Sequence, residues 1–316
     1  MANILLIGTL LVLSVVSLFI GPVNISPATL FSMGAEEHVV MFASRIPRLV
    51  AIIVSGMSMS ICGLIMQQLT RNRFVSPTTA GTMEGARLGV LASMLLIPAS
   101  GLFWRTAFAF VFTLLATLAF IQILERIKYK DVVFVPLVGL MYGSILASVS
   151  TFFAYSNDLV QNISTWLIGD FSSILRGRFE LIYISIPLMA LAYAYANKFI
   201  IAGLGEDFAK NLGLNYRLTM NVGLCIVAMI SSVVLLTVGI IPFLGLIIPN
   251  IVSLWMGDNL RKTLPYTALF GAVFLLICDI IGRLIMHPFE VPISLTVGVI
   301  GGAVFLGLLA RRRVYA

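Results

Sequence analysis

Four charged residues set in apolar surroundings are the first candidates for chemistry in this sequence. Glu84 and Arg87 stand three positions apart and Asp279 and Arg283 four, so on a helix each pair shares a face and neutralises itself. A charge inside a bilayer is costly and marks function by default. Two self-paired sites leave no lone carboxylate of the kind a proton-coupled carrier would use. The histidines are His38 and His287, with no carboxylate or cysteine cluster beside them, and Cys62, Cys225 and Cys278 fall within apolar runs. Neither a metal or haem centre nor a disulfide framework is expected from that pattern. Met57, Met59, Met66 and Met83 are spread among Leu and Ile, as packing residues are, whereas copper(I) needs its sulfur ligands in tight sets. The chain carries no GxxxxGK[ST], HExxH or GxSxG, so it offers no phosphate loop, zinc-protease helix or nucleophile elbow. No cofactor is expected, and an intramembrane enzyme has no catalytic cluster to point to.

The elements that must carry these residues are membrane helices. The 316 residues are 60% hydrophobic and 10% charged, with a mean hydropathy of +1.07. Soluble domains are about 25% charged. The apolar runs are long and do not alternate, which selects helices over a closed barrel as the way to satisfy the backbone in lipid. An all-α polytopic fold of ten transmembrane helices is predicted, near 3–20, 47–67, 78–97, 102–124, 132–155, 180–197, 219–238, 240–255, 264–286 and 292–310. Gly239, Pro242, Gly245 and Pro249 interrupt the eighth. The run Ile4 to Ile20 has no preceding Lys or Arg and no small-x-small site after it, so it is expected to be a retained helix. One permease-like domain over residues 1–316 is expected, without linker or low-complexity stretch. Gly81, Gly85 and Gly89, then Gly139 and Gly143, then Gly298 and Gly302 repeat at four-residue spacing, a signal for close helix packing in lipid.

The net charge of +7 is distributed one to three residues at a time between apolar runs, which is the pattern of topology determinants rather than of a nucleic-acid surface. With the N-terminus in the cytoplasm, the inward loops hold Arg71, Arg73, Arg126, Lys128, Lys130, Lys198, Lys210, Arg217, Arg261, Lys262 and Arg311 to Arg313. The outward loops hold Arg45, Arg48, Arg105, Arg176 and Arg178. The positive-inside rule therefore predicts both termini in the cytoplasm of a multi-pass protein. In the long connection after the sixth span, Leu204, Phe208, Leu212 and Leu214 form an apolar stripe at helical spacing. A short amphipathic helix there fits a socket in a partner; lying on lipid is the competing account.

Several segments in order resemble the permease family that imports ferric siderophores, haem and cobalamin through type II ATP-binding-cassette importers. They are Arg45-Ile46-Pro47-Arg48, the Gly-rich second helix ending in Met66-Gln67-Gln68, and Asn72 with Ser76-Pro77 and Gly81. They continue with Trp166-Leu167-Ile168-Gly169 and Leu204-Gly205 through Ala209 to Leu212-Gly213. The series closes with Gly239 to Pro249, then Asp279, Arg283, Glu290, Pro292 and Gly301-Gly302. Asn250 and Ser253 depart from the family's usual His and Arg, and the 72–81 segment lacks its Pro-Leu-Ala. Both variants are similar to those of permeases for catecholate siderophores. The resemblance implies the type II importer permease fold, no catalysis by this chain, and a place in the bacterial cytoplasmic membrane. It implies as partners a second permease, two cytoplasmic ATPase subunits and an extracytoplasmic binding protein, with a ferric siderophore as cargo. It implies docking of the binding protein on Arg45, Arg48 and Arg283, and coupling to the ATPase through Gly205, Glu206, Ala209, Leu212 and Gly213. Gln67, Gln68, Ser76 and Asn250 are the polar candidates for the translocation pathway. Haem or cobalamin as cargo, and a self-sufficient secondary transporter, are the alternatives.

Overall fold

The computed structural model describes residues 2–21, 34–99, 101–127, 134–257 and 259–312. Lys128, Lys130 and Arg313 of the charge pattern lie outside the described residues. The helices are α1 (Ala2–Phe19), α2 (Ala35–Val40), α3 (Ile46–Thr70), α4 (Thr82–Leu96), α5 (Leu102–Arg126), α6 (Phe134–Ser156) and α7 (Val160–Leu167). They continue as α8 (Ser185–Leu204), α9 (Glu206–Asn211), α10 (Tyr216–Val238), α11 (Leu244–Met256), α12 (Leu260–Leu284) and α13 (Ile293–Arg312). All ten expected spans are present as helices; the short α2, α7 and α9 are additional. Among the described residues six helical stretches are long and apolar enough to cross a membrane, and three shorter ones are apolar.

The second span does not begin at Pro47 as expected. Helix extends back to Ala35 through a π-turn over Met41–Arg45, in which the Ile46 N–H reaches the Met41 carbonyl. Pro47 has no N–H for the Ala43 carbonyl four residues back. That carbonyl instead accepts from the Arg176 N–H at 2.9 Å, so a loop 130 residues away in sequence completes the ladder. The third span starts later than expected, at Thr82, because residues 72–81 form turns in which the Ser76 and Thr79 hydroxyls bond neighbouring backbone. The eighth starts at Leu244, after Pro242 and a left-handed Phe243 at φ 60°.

α3 is the axis of the bundle, packed against α8, α10, α11 and α12, and its middle is buried on every side. Glycine makes this possible. A Cβ on Gly63 would lie 1.8 Å from the Gly245 carbonyl oxygen, and one on Gly56 would lie 2.7 Å from that of Gly271. Pro249 supplies no N–H to the Gly245 carbonyl, which faces Gly63 in α3, an approach close enough for weak Cα–H···O contact. Gly85 and Gly89 let α4 lie directly against α5 in the same way, and Gly139 meets the Thr79 carbonyl. The Gly298–Gly302 pair differs: Gly302 has open space beyond it. Two segments singled out in the sequence also meet, since Ile168 pairs in parallel with Ile240 and the Asp170 N–H reaches the Val238 carbonyl at 2.9 Å.

Candidate functional site

At the end of the bundle where α3 begins and α12 finishes, the charged residues form one cluster. Arg48 donates to Asp279 Oδ1 through Nη2 at 2.7 Å and through Nε at 3.2 Å, and to Glu290 Oε2 at 2.6 Å. Arg283 Nη2 lies 2.6 Å from Asp279 Oδ2, so the carboxylate is held between two guanidinium groups. Arg283 Nη1 donates to the Ser17 and Ile20 carbonyls at 3.0 and 2.8 Å, and Arg45 donates to the Leu18 carbonyl at 2.6 Å. The last carbonyls of a helix lack intrahelical donors and carry the negative end of its dipole. Two arginines from other elements therefore cap α1.

Two of the three arginines expected at a docking surface are bonded within the chain in this conformation. Arg283 is 4% and Arg45 7% exposed, both bonded to α1 carbonyls inside the subunit. Arg48 and Glu290, at 13% and 21% side-chain exposure, are the members nearest the surface.

At the opposite end α9 has the predicted amphipathic form. Gly205 takes φ 122° and ψ 163°, a conformation that a side chain would strain, and sets the sharp entry to the helix. The Arg71 guanidinium, at the end of α3, packs against that glycine. Ala209 is fully buried as the pivot, while Leu204, Phe208 and Leu212 are 55%, 64% and 61% exposed. Leu214, the fourth member of the expected stripe, turns back to pack on the core instead. Gly213 follows at φ 75°. On the polar side Glu206 pairs with Lys210 at 2.9 Å, and the ammonium beside it holds the Glu206 carboxyl below the usual carboxylate range.

Three of the four pathway candidates, Gln67, Ser76 and Asn250, lie at the joint between α3, the 71–81 turns and α11, inside the subunit, while Gln68 faces α8. Gln67 donates to the Leu246 carbonyl at 3.3 Å, and Asn250 donates to the Leu246 and Arg73 carbonyls at 2.7 Å each. Ser76 is fully buried, and Gln68 packs its amide against Gly203. Gln67 and Ser76 thus serve as internal fasteners in this conformation and do not line an outer surface.

The polar surface that the sequence reading missed is on α6. Ser144, Ser148, Thr151 and Tyr155 are exposed and spaced four, three and four residues apart, so they run as one ridge along the helix. Gly139, Gly143, Ser150 and Ala154 bury a different face. The first three hydroxyls donate to carbonyls four residues back. That spacing was present in the sequence, but a serine looks like helix filler until its face is known to be exposed. Thr151 also accepts from Arg87 at 3.2 Å, while Arg87 faces Glu84 at 3.5 Å.

Comparison with known proteins bears on these regions together. The FecCD transport family model matches residues 9–311. The chain is 56% identical over 307 residues to the petrobactin import system permease protein YclN of Bacillus subtilis, covering 97% of each. It is 42% identical over 295 residues to the ferric-anguibactin transport system permease protein FatD of Vibrio anguillarum, covering 93% of this chain and 94% of the relative. Among solved structures it superposes, with a TM-score of 0.82 and 22% identity, on a metal-chelate type ABC transporter in an inward-facing conformation, covering 98% of this chain and all of that one. That likeness establishes the fold.

Proposed function

The chain belongs to the FecCD transport family, and from that premise we propose that it is the membrane-spanning permease subunit of an ATP-driven importer for a ferric siderophore of the catecholate class. The observation that carries the cargo assignment is the 56% identity, over 97% of both chains, to a petrobactin import permease. The chain acts as one permease domain, a reading supported by an apolar core continuous from α3 to α13. It works in the bacterial cytoplasmic membrane with both termini inside, beside a second permease, two ATPase subunits and a binding protein.

In this reading α9 is the coupling element. Its exposed Leu204, Phe208 and Leu212 offer an apolar ridge to an ATPase socket, and Gly205 and Gly213 frame it as a separately hinged unit. Closure of the ATPases on nucleotide then moves α9, and with it α3 through the Arg71–Gly205 contact. At the other end the binding protein meets the surface around Arg48 and Glu290, with Arg45 and Arg283 fixing its shape from below. Gln67, Ser76 and Asn250 hold the α3–α11 joint that must flex as access alternates, and Gln68 holds α3 against α8.

The test is uptake of radiolabelled iron in cells with and without this chain, presented as ferric petrobactin, a ferric hydroxamate and ferric citrate, with a cobalamin control. Loss of ferric petrobactin uptake alone is expected. Loss of cobalamin uptake with unchanged iron uptake overturns the cargo assignment while leaving the family membership intact.

A further inference from the structure

The Glu84–Arg87 pair is held at longer range than the Asp279 cluster, where the contacts are 2.7 and 2.6 Å, although Asp279 Oδ2 and Arg283 Nε are also buried without a hydrogen-bond partner among the described residues. The Glu84 oxygen and Arg87 nitrogen are 3.5 Å apart, Glu84 Oε2 is buried without a hydrogen-bond donor, and Arg87 Nε is buried without an acceptor among the described residues. Arg87 donates outward to Thr151, in the exposed hydroxyl ridge of α6. On its other side it is the charged member of a small cleft otherwise lined by Val90, Ile163, Leu167, Leu235 and Leu236, so nothing there balances it. The ridge hydroxyls are themselves satisfied by backbone carbonyls and stand among exposed Ile145, Val149 and Phe152, so the feature that lipid does not account for is the Arg87 guanidinium reaching into them. A charge presented there suits a surface along which something polar and negatively charged passes.

The proposed cargo has that character. Each catecholate brings two negative charges to its iron(III), so two or more on one iron leave the complex anionic. We propose that Arg87, with Thr151 and Ser148 beside it, is a cargo-contacting station for the anionic ferric chelate in the translocation pathway. This rests on the siderophore reading above and adds to it a site and a basis for selecting by charge. The guanidinium supplies planar donors to anionic oxygens, while the ridge hydroxyls, whose protons are given to backbone carbonyls, present lone pairs to bound water and to donor groups of the cargo. Glu84 is the resident counter-ion. It keeps Arg87 neutralised when no cargo is present, and the loose geometry lets an anion compete for the guanidinium. An encounter that is strong enough to admit cargo and weak enough to release it is what a transport pathway needs.

The experiment uses the complete importer, with its second permease, ATPases and binding protein, reconstituted in proteoliposomes and supplied with radiolabelled ferric petrobactin. Arg87→Gln is expected to lower uptake roughly tenfold, the loss of one charge-assisted contact at a crossing barrier. Its ATPase stimulation by empty binding protein and its Tm should stay at the parental values. Arg87→Lys should restore uptake to within about threefold, since it returns the charge without the fork. Glu84→Gln, which leaves Arg87 uncompensated, should keep uptake at or above the parental level. Parental uptake by Arg87→Gln overturns the proposal. So does a fall in Tm and in empty-protein ATPase stimulation alongside uptake, or a Glu84→Gln loss equal to that of Arg87→Gln, since either makes the pair a packing element. A parental importer that carries no ferric petrobactin overturns the siderophore reading and this proposal with it, a result distinct from any of the variant outcomes.

Discussion

Two sets of charges lie within the helices of this permease, and they are built in opposite ways. Asp279 is gripped by Arg48 and Arg283 at 2.7 and 2.6 Å, and Arg283 also caps α1. Glu84 and Arg87 stand 3.5 Å apart; each site leaves one buried carboxylate oxygen and one Nε without a hydrogen-bond partner among the described residues, so the difference lies in the length and number of the remaining bonds. The sequence spacing is nearly the same, three residues against four, so spacing does not make the difference. Neighbours do. The first cluster joins four chain segments whose own polar groups need partners, and the charges are tied down by what they satisfy. The second pair has one outside partner, Thr151, on an exposed ridge. The cluster with more and shorter bonds is the more rigid, whereas a pair held by one long contact keeps its guanidinium available.

The sharpest break in this contrast is Asp279→Asn. It leaves two buried arginines facing each other without their shared carboxylate, and breaking a buried pair costs about 3–5 kcal/mol. Thermal unfolding of the detergent-solubilised protein should show a large drop in Tm, or the variant should fail to accumulate. Replacing Asp279 and Arg283 together by leucine should cost less than the single change, because no uncompensated charge stays buried. Equal losses would mean that capping of α1, and not charge balance, is the main role of Arg283.

Glu290→Gln comes next. Glu290 is the most exposed member of the cluster at 21%, and it removes one charge-assisted bond while Arg48 keeps Asp279. About 1.5 kcal/mol is expected. Glu84→Gln should cost less than Asp279→Asn, because the contact it weakens is already long and Arg87 keeps its bond to Thr151. If Glu84→Gln lowers Tm as far as Asp279→Asn does, the distinction between the two sites fails.

Why one site was legible in the sequence and the other was not follows from the same contrast. The ten helices were readable because lipid forces long apolar runs, and the two charge pairs because a helix places residues three and four apart on one face. The amphipathic α9 was readable because Leu204, Phe208 and Leu212 keep their period through a polar stretch. The helix starts at Pro47, in α4 and in α11 were misplaced, because each depends on which distant group satisfies the backbone: Arg176 for Ala43, or the hydroxyl turns at Ser76 and Thr79. Charge pattern placed Arg45 in an outward loop and the family resemblance placed Arg283 at a docking surface, and neither signal shows which groups inside the chain each arginine bonds. Only the meeting of α1 with α3 and α12 shows that carbonyls are waiting there. The internal bonds of Gln67 and Asn250 were hidden for a related reason. Nothing local reveals that Leu246 and Arg73 present their carbonyls to them.

The smallest effect belongs to the pair at the far end of the same scale, Glu206 and Lys210 on α9. They are an i,i+4 pair with side chains 43% and 62% exposed, at 2.9 Å. Short distance alone does not make a pair strong, because water screens both groups and each side chain gives up rotamer freedom to hold the geometry. Lys210→Ala should therefore leave Tm unchanged, in contrast with Asp279→Asn, although the two ion pairs have similar lengths. The pH dependence has a definite sign. The Glu206 carboxyl is depressed by Lys210, so what stabilisation it gives is present above the ordinary carboxylate pKa and is lost only as pH falls through the lower folded value. Between pH 8 and 6 the helix should neither loosen nor tighten. Hydrogen exchange over residues 206–211 measured at both values should coincide in parent and in Lys210→Ala alike. A parental protection that rises or falls across that window would show that a group other than this pair controls α9. An ATPase socket built around the helix would then have to be sensitive to that group.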